Sequence, residues 1–358
     1  MNIPTPSKTN HIFTSAFLAL SFSIVGCSSS NNLTTETTTS KPEVIASSSI
    51  LCDLTQQIAK DTINLTCLME PEQDPHTYNI TPGDLQAMET ADLILYGGYK
   101  LVPTIEDSVA AIDTPAPKIA VYEQAVPDPI LAEHHHHEHE EDEHGHAEHE
   151  HEHEHEHEHE HAEEEKKAEV EEELEPDPHV WHSVQNAIAV AEEIEGQLAT
   201  INPDQAEVYA ENSKQFQDEL GQLDAWIRQQ IATIPAGQKT LVTTHDAFNY
   251  YVQAYGLESK ESLQGFSTTE QPTASRVKEL VTDLKATKVP TIFAEVTAND
   301  RVIGTVAREA NVQISPQRLF TGALGTQGSE ADTYIGMIAT NTCTIVNGLG
   351  GECVDFNK

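Results

Sequence analysis

The stretch NPDQAEVYAENSKQFQDELGQLDAWIRQQIATI, from Asn202 to Ile234, decides how the chain is laid out. Asn202 suits a helix cap, Pro203 suits the first helical position, and Asp204 meets the positive end of the helix dipole. At ~1.5 Å per residue, a helix from Pro203 to about Ile234 is on the order of 45 Å long. That is longer than one lobe and enough to join two.

On its N-terminal side, short apolar runs alternate with amphipathic stretches. Strands are expected at Val44–Ala46, Asn64–Met69, Asp92–Tyr96 and Ile119–Val121. Helices are expected at Leu51–Lys60, Thr81–Thr90, Val102–Ala111 and Val184–Ala199. Beyond the long helix the alternation resumes, with strands at Thr240–Thr243, Glu258–Leu263 and Thr291–Ala294. Helices are expected there at Ala247–Tyr255, Thr273–Ala286, Arg301–Ala310 and Ala331–Val346. Strand and helix alternating at this spacing indicate parallel sheets covered on both faces. The expected fold class is therefore α/β: two lobes, each a parallel sheet flanked by helices, joined by one long helix, with a cleft between the lobes.

Glu133 to Glu175 breaks the pattern with 14 histidines, many alternating strictly with glutamate, and almost no apolar residues. Such a segment cannot bury a core, so disorder in the absence of metal is expected. From Glu133 to Asp177 there are 22 acidic residues and two lysines, half of the chain's net charge of −40. Alternating imidazole and carboxylate offers many weak ligand pairs for zinc, nickel or copper, which favours metal collection or sensing over an inert spacer. With 19 basic against 59 acidic residues, nucleic acid is excluded as a partner because its phosphates would be repelled.

The N-terminus reads as an export signal: Lys8, then an apolar run from Ile12 to Gly26, too short for a comfortable membrane span. It ends in Ile24-Val25-Gly26-Cys27, which resembles the bacterial lipobox, whose cysteine is acylated. Residues 28–42, rich in Ser, Thr and Asn, fit a flexible tether. The other cysteines, Cys52, Cys67, Cys343 and Cys353, form an even set in an exported chain. Of the three pairings open to them, the short-range set Cys52–Cys67 and Cys343–Cys353 is expected.

Outside the tract and the leader's His11, the chain has four histidines: His76, His179, His182 and His245. Two sit in one repeated tripeptide, Asp74-Pro75-His76 and Asp177-Pro178-His179, each followed two residues on by an aromatic, Tyr78 or Trp181. Proline fixes the backbone before the imidazole, and the aspartate can hold the turn through local N–H groups. His245 lies where a strand of the second lobe gives way to a helix, the end of a parallel sheet at which ligands bind. A cleft would bring His76, His179 and His245 together as imidazole ligands for a borderline-soft cation such as zinc. His182 is expected to be exposed or to stand behind His179.

Several stretches together resemble the cluster A-I substrate-binding proteins of ABC transporters, in particular the zinc-binding ZnuA-like branch. They are Asp74-Pro75-His76-Thr77-Tyr78, Thr81-Pro82-Gly83-Asp84, Asp177-Pro178-His179-Val180-Trp181, Thr244-His245-Asp246-Ala247-Phe248 and Ala331-Asp332-Thr333-Tyr334. The resemblance runs from about Glu43 to Val346 and implies a metal held between two lobes. In manganese-type relatives the residue at position 245 is usually Glu, and an Asp stands where Gly322 falls here. Three imidazoles without that acid suit zinc better than manganese. The fourth position is left to water, Glu72 or a histidine of the 134–161 tract.

The resemblance implies a high-affinity zinc-binding component of an ABC importer. It captures Zn2+ outside the inner membrane and hands it to a membrane permease, as a periplasmic, lipid-anchored monomer. A manganese or other divalent-metal binder of the same family is the alternative within that class. An exported zinc hydrolase is a rival from another class, but no His-Glu-x-x-His or comparable pairing supplies its base, so no enzyme is expected. A metal-buffering surface protein is a third reading. The expected layout is 1–27 signal, 28–42 tether, 43–202 first lobe with the insertion 133–177, 203–234 linking helix and 235–358 second lobe.

Overall fold

The first lobe is organised around β1 (Glu43–Ala46), whose Val44, Ile45 and Ala46 are buried and which pairs with parallel neighbours on both edges. The computed structural model describes residues 40–133, 174–259, 262–287 and 289–356. In it β1 leads to α1 (Ser49–Ala59), β2 (Asn64–Cys67), α2 (Pro82–Glu89), β3 (Leu93–Tyr96), α3 (Pro103–Ala111), β4 (Lys118–Ala120) and the short α4 (Val121–Ala125). The four strands are parallel in the order β2-β1-β3-β4. Local chemistry sets the helix starts. Ser48 accepts the Leu51 N–H at α1, and Thr81 and Asp84 form a reciprocal capping box at α2, with Pro82 in its first turn.

Two short strands not expected from the sequence, β5 (Leu131–Glu133) and β6 (Leu174–Pro176), pair antiparallel. They flank the histidine-rich tract, which itself lies outside the described residues, as do the signal segment, Cys27 and most of the 28–42 tether. Leu131 and Leu174 are half exposed, and each strand is three residues long, too short for a periodic signature.

After α5 (Val184–Ile201) comes a 3-10 turn, Pro203–Gln205, and then the long helix α6 (Ala206–Ile231), 26 residues and about 39 Å at ~1.5 Å each. Asn202 does not cap it: its side-chain amide donates to Tyr209 Oη at 3.0 Å, and the helix begins three residues later behind the 3-10 turn. Tyr209, Phe216, Leu220, Leu223, Ile227 and Ile231 form the buried face of α6, spaced as one side of a helix requires.

The second lobe contains β7 (Thr240–Leu241), α7 (Asn249–Tyr255), β8 (Glu258–Ser259), α8 (Ala274–Thr287), β9 (Thr291–Ile292), α9 (Asp300–Ala310), β10 (Gln313–Ile314) and α10 (Tyr334–Gly348). β7 pairs with β8 and β9 with β10, all parallel, and Phe293 N–H to Val242 O at 2.9 Å links the two pairs. Regular ladders here are two residues long, but single parallel bridges, His245 with Gln264 and Glu295 with Leu319, extend them toward the cleft. The last helix, α10, crosses back to α6 and α1, and its Tyr334, Ile335, Met337 and Ile338 join the larger core with both of them. α6 therefore packs against elements from both halves of the sequence, as a joining helix must.

Disulfides join Cys52 of α1 to Cys67 of β2, and Cys343 of α10 to Cys353 in the C-terminal tail. Closing the 15-residue separation of the first pair contributes about 3 kcal/mol by the chain-entropy relation. Thiol titration of the mature protein under denaturing, non-reducing conditions is expected to find none of these four free. Four reactive thiols would contradict the pairing.

Candidate metal centre

Each histidine of the repeated tripeptide is held by its own aspartate. Asp74 Oδ1 accepts the His76 N–H at 3.0 Å and caps the 3-10 turn Pro75–Thr77. Asp177 Oδ1 accepts the His179 N–H at 2.9 Å and also lies 2.8 Å from ring Nδ1. Asp177 is itself fixed, its Oδ2 taking the Asn249 amide at 3.1 Å and its backbone carbonyl the Tyr250 hydroxyl at 3.1 Å.

His245 follows β7 in the bridge to Gln264. The fully buried Glu295, beyond β9, organises it: Oε1 accepts the N–H groups of Thr244 at 2.7 Å and His245 at 3.0 Å, while Oε2 pairs with ring Nδ1. A carboxylate on Nδ1 fixes the tautomer that leaves Nε2 as a lone-pair donor and raises its basicity.

The three Nε2 atoms converge. His179 Nε2 stands 3.2 Å from that of His76 and 3.4 Å from that of His245, and all three lie within 4.8 Å of one another. Ligand nitrogens around a tetrahedral zinc at about 2.0–2.1 Å are about 3.4 Å apart. Burial, reinforced by the neighbouring imidazoles, holds His76 and His179 well below the ordinary imidazole pKa, so both are neutral at pH 7. For His245 burial acts downward, but its contact with Glu295 outweighs it and the pKa is raised. Burial pushes Asp177 up to about 7. Neutral His76 and His179, with Asp177 and Glu295 behind the cluster, suit a dication entering from water.

The other expected site residues fall elsewhere. Glu72 is exposed and stands outside the cluster, and among the described residues no carboxylate belongs to it. His182 is not exposed. The 3-10 turn Val180–His182 carries it under the Phe248 ring, 4.4 Å between centroids, and its Nε2 bonds Thr321 O at 3.0 Å. An acid at Gly322 would force Pro75 to shift, since a Cβ there would meet Pro75 Cδ at 2.6 Å. Glu295 was missed by the sequence reading, although it ends an apolar strand just as His245 does. The strand-end rule that singled out one finds the other.

The sequence profile of the family described as zinc-uptake complex component A, periplasmic, matches residues 44–348. The chain belongs to this family. Among relatives of the zinc-uptake component A family, the chain is 32% identical to the manganese ABC transporter substrate-binding lipoprotein PsaA of Streptococcus pneumoniae, covering 91% of this chain and 94% of that one. It is 30% identical to the manganese-binding lipoprotein MntA of Bacillus subtilis, over 93% and 97% of the two chains. The solved structure of the periplasmic zinc-binding protein TroA from Treponema pallidum matches with a TM-score of 0.72 at 28% identity, covering 86% of this chain and 99% of that one. As a member of the component A family, the protein is a metal-binding, substrate-binding component of an ABC transporter. Its partners are a divalent metal ion and a membrane permease, and the family consists of transport components rather than enzymes. Among the described residues no helix is long and apolar enough to cross a membrane.

Proposed function

We propose that this protein captures Zn2+ in the cleft through the Nε2 atoms of His76, His179 and His245 and delivers it to the permease of an ABC importer. The observation that carries this reading is the donor set: three convergent imidazole nitrogens, two of the pairs at tetrahedral spacing, with no carboxylate among the described residues in the cluster. Such a set prefers zinc, whereas oxygen-rich sites prefer manganese. The two relatives above are named for manganese; this chain differs from the manganese-type pattern at His245 and Gly322, and Pro75 occupies the space an acid at 322 would need. A water or a tract histidine completes the coordination. Acylation at Cys27 anchors the protein at the membrane, and the tract gathers ions for the cleft.

Crystals equilibrated with equal zinc and manganese test the metal directly. Anomalous diffraction recorded at both edges is expected to show zinc alone between the three histidines, because zinc outcompetes manganese at such a site by several orders of magnitude. Manganese at that position, alone or in equal share, would overturn the assignment.

A further inference from the structure

One side of the cleft is stitched to the first lobe at several points. Thr321 O accepts Trp181 Nε1 and His182 Nε2, each at 3.0 Å. Leu324 N–H donates to Ser49 Oγ at 3.0 Å, and Leu324 O accepts the Glu72 N–H at 2.9 Å.

The opposite side is formed by the loop 264–270, which hangs from the segment that carries His245. Gln264 N–H donates to Thr244 O at 3.2 Å and Asp246 N–H to Gly265 O at 2.9 Å. The loop is braced from within: the Gln264 amide donates to Thr268 O and Glu270 O, and the Glu270 carboxylate accepts the Gly265 N–H at 2.9 Å. A Cβ at Gly265 would meet that carboxylate at 2.7 Å, so a larger residue there would push Glu270 aside. The braced loop presents Thr268 to the first lobe, where its hydroxyl donates to Asp74 Oδ2 at 2.5 Å. The other oxygen of the same carboxylate accepts the His76 N–H. A chain of bonds thus runs from the backbone beside His245, through Thr268 and Asp74, to the backbone of His76, spanning the gap that a metal between those two histidines would span.

We infer that Thr268 is a positioning residue for the metal site. By holding Asp74 it fixes the turn of His76 against the second lobe and sets how fast the cleft lets its ion go. The loop 264–270 is then the side that must part from the first lobe before His76 can leave the metal, while the Thr321–Leu324 side stays bonded. A valine at 268 keeps the shape of threonine but leaves the half-buried Asp74 oxygen without its donor.

The inference rests on the cleft holding zinc, and its test separates the two. Full-length protein loaded with one equivalent of zinc is mixed with a chromophoric chelator in a stopped-flow instrument. Thr268→Val is expected to release zinc faster, on the order of tenfold for one hydrogen bond to a charged group. Thr268→Ser is expected to release it at the wild-type rate, and the metal-free melting temperatures of all three proteins to agree. Asp74→Ala with Thr268→Val is expected to release no faster than Asp74→Ala alone, because the two act through one bond. Tight wild-type binding with unchanged release in Thr268→Val, equal acceleration by Ser and Val, or additive effects in the double variant would each overturn the positioning role. Failure of wild-type protein to hold zinc tightly would instead overturn the zinc reading.

Discussion

Alanine at His179 is expected to eliminate the tight zinc site, with affinity falling by more than the roughly 10–100-fold that loss of an outer hydrogen-bonding partner costs. His179 stands between the other two histidines, its Nε2 within 3.2 and 3.4 Å of theirs, so its removal would leave two donors that no longer close on one point. Alanine at His76 or His245 should act in the same direction, since each also removes a direct donor. Replacing Glu295 with glutamine tests the layer behind: Nε2 stays, but the carboxylate on Nδ1 goes, and a loss of roughly 10–100-fold is expected. Calorimetric titration with zinc separates these cases, with only weaker equivalents expected from the tract. Tight binding that survives in the His76, His179, His245 triple alanine variant would show that the cleft is not the site.

The second large effect is on stability. Trp181 is fully buried two residues beyond His179, its ring 5.3 Å from that of Tyr122 and its indole N–H bonded to Thr321 O across the cleft. Trp181→Ala is expected to cost about 3–5 kcal/mol, the range for truncating a large buried aromatic. Trp181→Phe keeps most of the packing and loses the indole N–H, for which about 1 kcal/mol is expected. Urea unfolding of metal-free protein would measure both. Equal costs for the two variants would mean that the cross-lobe bond, rather than the packed ring, holds this seam.

The features legible in the sequence were those that a local signal dictates. The long helix announced itself through Pro203 and Asp204, and the pair of Asp-Pro-His turns through repetition. His245 was legible because it ends an apolar strand. What escaped depends on contacts made at a distance. Asn202 has the chemistry of a cap, but Tyr209 offered its amide a partner and the helix began later. His182 has no local cue for burial, since its cover comes from Phe248 and its hydrogen bond from Thr321. Gly322 has no local cue for its closest neighbour, the Pro75 ring, which a side chain at 322 would have to displace. Strands β5 and β10 carry exposed residues and almost no alternation, so periodicity could not reveal them.

The antiparallel ladder of β5 and β6 has a practical corollary. Glu133 and Leu174 are paired residues, so the 40 positions between them, 134 to 173, leave and rejoin the lobe at adjacent points. The lobe closes on itself without them, and a two-residue Asn-Gly turn suffices to bridge the strand ends. The tract is thus a detachable cassette. Its 14 histidines are tethered at both ends to the protein that carries the cleft, and their effective concentration there is set by loop length rather than by how much protein the cell makes. Lengthening or shortening the cassette tunes that concentration without touching a single residue of the metal centre.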